Sequence, residues 1–214
     1  MDYTYDGFYT RFDTASKDAG GLLMGADTLV GDVFTVDFRT DANGSTTAWL
    51  VNRFGGDLGF LSAADTYRLQ VAAARGLNVR ALLSFVAYTE DQTPSPYWGE
   101  VAVVCTPAND PDFEEFLRTL GKNMASGVRP SVSLGEPEIR KIAETGGTWL
   151  PAERVALPER KPGTAFVKTQ RSITENMVEQ GRRGNVGCYI VSIAFIVAVV
   201  LGVIYFLGRM IGFF

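Results

Sequence analysis

The chain has 214 residues, of which 46% are hydrophobic and 21% are charged, with 24 acidic side chains, 20 basic ones, two cysteines and no histidine. This length allows one or two small domains, and the acidic balance argues against a general phosphate-binding surface, which needs clustered lysine and arginine. The absence of histidine removes the commonest metal ligand and general base, and two cysteines alone make neither a zinc site nor a disulfide framework.

The first elements along the chain are predicted to be an N-terminal segment and a β-hairpin. Residues 1–28 begin with an acidic and aromatic stretch and contain glycines that indicate a flexible loop. Apolar and polar residues alternate from 33 to 38, as is typical of a half-buried strand. Asn43-Gly44 predicts the turn of a hairpin, because this pair tolerates positive φ, and residues 46–54 continue as the second strand.

A short strand and a helix are predicted next. Residues 57–61 have the pattern of a strand. Ser62 and Asp65 form a variant of the capping box, so we expect a helix to begin there, to run to Ala74 and to end at Gly76.

Two more strands and a second helix complete the predicted domain. Residues 77–89 and 99–106 are strand-like, with a polar, proline-containing loop between them. Asp110-Pro111 is typical of a helix N-terminus. The apolar residues that follow at helical spacing predict a core-facing stripe, which is favoured over an aromatic ligand box: Phe113, Phe116, Leu117, Leu120 and Met124. Together these elements predict an α+β fold with a small domain over residues 29–127.

The composition changes after this domain. Residues 128–187 contain several prolines and glycines, which indicates a connector with one short helix at 138–145. Ser172 and Glu175 form a capping box that predicts a second short helix.

The strongest signal in the sequence is an apolar run near the C-terminus. Residues 188–208 form a stretch of 21 positions without a charge. At about 1.5 Å of rise per residue, a helix of this length spans roughly 30 Å, the thickness of a bilayer's hydrocarbon core. A buried core helix is the alternative, and it is disfavoured because core helices are usually shorter. The run therefore predicts a single transmembrane helix, followed by a short tail over residues 209–214.

Charges beside this run predict its orientation. Lys168, Arg171, Arg182 and Arg183 precede the run, whereas Arg209 alone follows it. Because basic residues stay on the cytoplasmic side, this bias places the body in the cytoplasm and the C-terminus outside, as in a single-pass, tail-anchored protein. The acidic N-terminus lacks the features of a signal peptide, which agrees with this topology. Contact of Arg182 and Arg183 with lipid headgroups is the alternative to a role in topology alone.

Small residues recur along one face of the predicted span. Ala194, Ala198 and Gly202 are spaced by four, which lets two helices approach closely. A homodimer through this face is one interpretation. A face that contacts only lipid is the other, and it is favoured because small residues are common in membrane spans.

Two stretches of the chain resemble the HIRAN domain: TTAWLVNRFGGDLGFLSAADTYRL at 46–69 and GLNVRALLSFVAY at 76–88. The resemblance covers about residues 29–88 and implies a small, β-rich, barrel-like fold with flanking helices. HIRAN domains occur in helicase-like DNA repair proteins and as stand-alone modules. The chain departs from the family's pattern at Ser45, where an aspartate is usual, and at Ser62, where a proline is expected.

The resemblance also implies a ligand site. Family members in repair enzymes bind the 3′ end of single-stranded DNA through aromatic stacking and basic side chains. This points to Trp49, Arg53, Phe60 and Arg80 as candidate ligand-binding residues. However, aromatic residues that alternate along strands more often face a core. Residues 29–90 also contain six acidic and five basic side chains, so a basic groove is not evident.

No catalytic signature is recognised in the sequence. It contains no phosphate-binding loop, nucleophile elbow, zinc-protease motif or paired cysteine cluster, so we predict no catalytic, cofactor-binding or metal-binding residues. Cys105 is interpreted as buried, and Cys188 as part of the span. The leading hypothesis is a membrane-anchored, non-catalytic, cytoplasmic binding module with an unidentified protein or nucleic-acid ligand. The alternatives are binding of single-stranded DNA ends at the membrane surface and, less favoured, an enzyme that uses carboxylates.

Overall fold

The computed structural model describes residues 5–176, 195–197 and 199. The chain divides into two compact units, residues 1–171, which we call the body, and residues 172–214. The body is an α+β domain in which six antiparallel strands close into a barrel.

The described part of the body contains seven strands and four helices. In chain order they are β1 (Asp6–Asp13), α1 (Lys17–Met24), β2 (Val33–Thr40), β3 (Thr46–Val51), β4 (Asp57–Leu61), α2 (Ala63–Ala74), β5 (Leu77–Thr89), β6 (Tyr97–Pro107), α3 (Pro111–Ala125), α4 (Glu136–Glu144) and β7 (Thr164–Lys168).

The barrel has the strand order β2-β3-β4-β1-β6-β5, and β5 closes it by pairing with β2. Val33 of β2 lies opposite Leu82, in the first half of the long strand β5. The second half of β5 pairs with β7, where Val86 lies opposite Lys168. The same edge of β5 therefore pairs first with β2 and then with β7.

The barrel interior is filled by the alternate apolar residues of its strands. Leu23 of α1 and Leu69 of α2 join this cluster and are fully buried. Phe12 of β1 lies against two glycines, because a Cβ at Gly99 would be 2.5 Å from its Cε1 and one at Gly59 would be 2.8 Å from its Cδ2. These glycines leave the space that the phenylalanine ring occupies.

A second apolar cluster lies between the outside of the barrel and the helices α3 and α4. Leu82, Ala102 and Val104 of β5 and β6 belong to it. They are covered by the five residues of the predicted stripe, which are all buried: Phe113, Phe116, Leu117, Leu120 and Met124. Asp110 caps α3 by accepting a hydrogen bond from the amide of Asp112. The prediction that this stripe faces a core is confirmed.

The local signals at the hairpin and at α2 are also confirmed. Strands β2 and β3 form the predicted hairpin, and Gly44 in its turn has a φ of +82°. Helix α2 begins after Ser62, whose hydroxyl accepts a hydrogen bond from the amide of Asp65.

Two strands lie outside the predicted domain of residues 29–127. Strand β1 belongs to the segment 1–28, and it pairs with β4 on one side and β6 on the other. Strand β7 belongs to the connector and pairs with β5. The body therefore takes one strand from each flanking segment. The sequence pattern did not predict these strands, because their pairing partners are distant in the sequence.

The C-terminal end of the body is held by a segment that we call the strap, residues 164–171, which comprises β7 and the three residues after it. The ammonium group of Lys168 donates hydrogen bonds to the carbonyl oxygens of Leu23, Gly25 and Thr28, at 3.3, 2.9 and 3.0 Å. These carbonyls lie at and just beyond the C-terminal end of α1, where a positive charge is favourable. The strap therefore lies beside that end of α1.

Arg171, the last residue of the strap, is hydrogen-bonded to the body through its side chain and its backbone amide. Its guanidinium donates a hydrogen bond to the carbonyl of Val30 at 2.7 Å and forms a partly buried ion pair with Asp32 at 2.9 Å. Its amide donates to the carbonyl of Ala125, at the end of α3. The chain thus leaves the body next to the loop between α1 and β2.

The second unit begins with the predicted short helix. The amide of Ser172 donates a hydrogen bond to Glu175, and the amide of Glu175 donates to the Ser172 hydroxyl, which completes the capping box. Residues 195–197 and 199 are helical and their side chains are exposed. Among the described residues, no helix is both long enough and apolar enough to cross a bilayer. The rest of the predicted span 188–208, including Ala194, Ala198 and Gly202, lies outside the described residues, as do Arg182 and Arg183.

Candidate ligand-binding face

A row of directly opposed residues crosses five strands on the outside of the barrel. It runs through Asp37 of β2, Trp49 of β3, Phe60 of β4, Asp13 of β1 and Trp98 of β6. Directly opposed residues of neighbouring antiparallel strands share one face of the sheet. The residues on either side of Trp49 are buried in the barrel interior, so this row, which we call the aromatic row, faces outward.

Trp49 and Phe60 are the centre of the aromatic row. Their ring centroids are 5.7 Å apart and their planes are inclined by 52°. Both side chains are partly exposed. These two residues therefore lie outside the barrel core, contrary to the usual placement of alternating aromatic residues.

Arg39 lies across the indole ring of Trp49, with its guanidinium carbon 5.0 Å from the ring centroid. Its two terminal nitrogens donate to the two carboxylate oxygens of Asp57, each at 2.7 Å, and its Nε donates to Asp37 at 2.8 Å. The hydrogen bonds from Arg39 hold the pKa of the Asp57 carboxyl below its ordinary value. One face of the indole is thus covered by a cation that two carboxylates hold in place.

At the other end of the aromatic row an arginine also covers a tryptophan, but this ring, Trp98, is buried against Phe85 and is only 8% exposed. The guanidinium carbon of Arg11 lies 4.1 Å from the ring centroid of Trp98, and its Nη2 is 2.6 Å from Asp13. Gln92 also donates a hydrogen bond to Asp13, at 3.2 Å. The aromatic rings that the face exposes in part are therefore Trp49 and Phe60, and its arginines Arg39 and Arg11 are paired with its own carboxylates.

The structure brings three of the four predicted ligand residues onto this face. Arg80 lies opposite Thr35, which lies opposite Val51, so Arg80 occupies the neighbouring row of the same face as Trp49 and Phe60. Its guanidinium donates a long hydrogen bond, 3.4 Å, to the carbonyl of Val79.

Arg53 lies apart from the centre of the face. It is exposed in the turn between β3 and β4, and its guanidinium carbon is 5.1 Å from the ring centroid of Phe54. It therefore marks the edge of the face.

Arg39, Arg11, Asp13 and Trp98 are not among the four candidate ligand residues predicted from the sequence. The alternation of β2 places the Arg39 side chain on the same side as Asp37, so the sequence pattern could have identified Arg39. The other three come from β1 and β6, whose alignment with β4 depends on pairing between distant parts of the chain.

Two ionisable side chains away from the aromatic row, Cys105 and Arg129, are buried in the body. Burial raises the pKa of the Cys105 thiol to about 12, so it stays protonated at neutral pH. Arg129 is buried in contact with Glu100 and donates a second hydrogen bond to the carbonyl of Ala156 at 2.7 Å, which joins β6 to the connector. Among the described residues, no group of three or more metal-ligating side chains is placed to hold a metal ion.

A cleft of about 410 Å³ lies beside helix α2 and the start of β1. Tyr67, Arg68 and Arg75 contribute to its walls, and Tyr67 is largely exposed. The cleft contains none of the four candidate ligand residues, so it is separate from the aromatic row.

No family model matches the chain, and neither a curated protein nor a solved structure matches it. The resemblance of residues 29–88 to the HIRAN domain therefore rests on the motif residues quoted above and stays a prediction.

Proposed function

We propose that this protein is a membrane-anchored, non-catalytic binding module whose body lies in the cytoplasm and binds a protein partner on the aromatic row. The proposal rests on the composition and the outward position of the aromatic row. It presents Trp49 and Phe60 side by side on the outside of the barrel, flanked by arginines that are already held in position.

The composition of the row suits a protein partner. Tryptophan, tyrosine and arginine dominate the residues that contribute most to protein–protein binding. Arg39 is fixed by three hydrogen bonds to Asp37 and Asp57, so it loses little conformational freedom when a partner covers it. Its charge is balanced within the face, which favours a partner of mixed polarity over a polyanion.

The anchor is proposed from the sequence. The uncharged run 188–208 has the length of a membrane span, and the basic residues before it favour a cytoplasmic body. We further propose that the body is a HIRAN-like domain, for which the six-stranded barrel and the motifs in residues 29–88 are the support.

Binding of single-stranded DNA ends is the second candidate function. It is favoured by the position of Arg80 on the same face as Trp49 and Phe60. It is opposed by Arg39, which covers one side of the Trp49 ring and is engaged by two carboxylates. We therefore expect affinity for oligonucleotides no tighter than about 10–100 µM, which lies within the range of non-specific association.

Site-specific photo-crosslinking in cells tests the proposed face. A photoreactive phenylalanine at Phe60 is expected to capture a polypeptide, and the capture is expected to disappear in Trp49→Ala. The same reagent at Glu114, an exposed position on helix α3 away from the aromatic row and the cleft, is the control and should capture nothing specific. Equal capture from both positions, or none from Phe60, would contradict the proposal.

Fluorescence anisotropy with the purified chain tests the second candidate. Oligonucleotides with free and blocked 3′ ends should bind alike and weakly. Submicromolar binding that needs a free 3′ hydroxyl and is lost in Arg80→Ala would establish the nucleic-acid function instead.

A further inference from the structure

Three large apolar side chains of the body are exposed around one end of the barrel. They are Leu22, Val33 and Phe54, with exposed fractions of 42, 40 and 60%. Together with the exposed Arg53 beside Phe54, we call this set the tip. A group of exposed apolar residues at one place on a domain indicates a contact surface.

The backbone places these residues at the same end. A Cβ at Gly56 would lie 3.4 Å from Cδ1 of Leu22, so Leu22 adjoins the turn between β3 and β4 that carries Phe54. Val33 is the first residue of β2, and its register with β3 places it level with that turn.

The chain also leaves the body at this end. Lys168 is hydrogen-bonded to the carbonyl of Leu23, the residue after Leu22, and Arg171 is bound beside the loop that follows α1. From Arg171, the 16 residues 172–187 lead to the uncharged run that begins at Cys188. Even fully extended, this segment reaches no more than about 55 Å.

We propose that the tip rests on the lipid bilayer in which the same chain is anchored, with Leu22 and Phe54 inserted among the headgroups. This inference rests on the proposed membrane anchor. A short tether keeps the body at high effective concentration near the lipid, so a small apolar contact suffices to hold it there. Because Arg53 is the only basic member of the tip, apolar insertion drives the contact, and high salt leaves it in place.

Collisional quenching by brominated lipid tests the contact. The full chain carrying Cys188→Ser is inserted into phosphatidylcholine vesicles, with a fluorophore on Arg53→Cys at the tip. Ser45→Cys provides the matched control, because it lies in the β2–β3 hairpin at the other end of β3, about 20 Å away. Cys105 is buried and does not compete for the label.

We expect brominated phosphatidylcholine to quench the label at position 53 at least threefold more than the label at position 45, in low salt and in 1 M salt alike. Leu22→Ser with Phe54→Ser should reduce quenching at 53 to the level of the control, without changing flotation with the vesicles. Equal quenching at both positions in chains that float would overturn this inference alone. Chains that do not float with vesicles would overturn the anchor, and this inference with it.

Discussion

Lys168→Met is expected to weaken the body markedly, because one ammonium group serves three backbone carbonyls. The substitution keeps an apolar stem and leaves the carbonyls of Leu23, Gly25 and Thr28 without this donor. A hydrogen bond to a charged group contributes about 1.5–3 kcal/mol. Lys168 is half-buried and water reaches part of the site, so we expect a loss of about 3 kcal/mol in the free energy of unfolding, rather than the sum of three full bonds.

Thermal and urea unfolding of the body, residues 1–171, measure this loss. For a domain of this size, 1 kcal/mol lowers the melting temperature by about 2–4 °C, so the expected fall is about 6–12 °C. Lys161→Met is the matched control, because this exposed lysine lies just before the strap, and its free energy of unfolding should change by less than about 0.5 kcal/mol. A Lys168→Met body as stable as the control would refute the assigned role of the ammonium group.

Two further predictions concern the interior and the aromatic row. Gly99→Ala places a methyl group against the Phe12 ring, so it should lower the free energy of unfolding, measured in urea, by about 1–3 kcal/mol. Adding Phe12→Leu should recover part of this loss. If the effects of the two substitutions are fully additive, the contact is not the cause. NMR titration should find the pKa of the Asp57 carboxyl below the ordinary aspartate value. The stability that its pair with Arg39 contributes is therefore fully present at a pH above the ordinary value, and it is lost as the pH falls through the lowered pKa. Arg39→Gln should return the Asp57 pKa toward its ordinary range, and an unchanged titration would show that another group lowers it.

The elements that the sequence predicts well are those with signals in a few adjacent residues. Helix α2 has its cap at Ser62 and its stop at Gly76, and the β2–β3 hairpin has a turn in which Gly44 adopts a positive φ. These choices depend on local backbone preferences, which the sequence displays directly.

Strands β1 and β7 were not predicted, because nothing local requires them to be strands. Each becomes a strand by pairing with β6 or β5, which lie far away in the sequence. The candidate site likewise combines residues that local patterns identify with residues that only long-range strand pairing identifies. Trp49 and Phe60, which the sequence offers as candidate ligand residues, lie side by side on the face, whereas the positions of Asp13 and Trp98 follow from the register of β1 against β4 and β6.

The central place of β1 has a consequence for synthesis on the ribosome. All eight residues of β1 pair with β6, which emerges about 90 residues later, whereas β4 pairs with the last two. At about 5–20 residues per second, the first strand waits roughly 5–20 s for its main partner. Its apolar residues, Phe8 and Phe12 among them, lack this partner for that time. We therefore expect ribosome-associated chaperones to bind the nascent chain until β6 has left the exit tunnel.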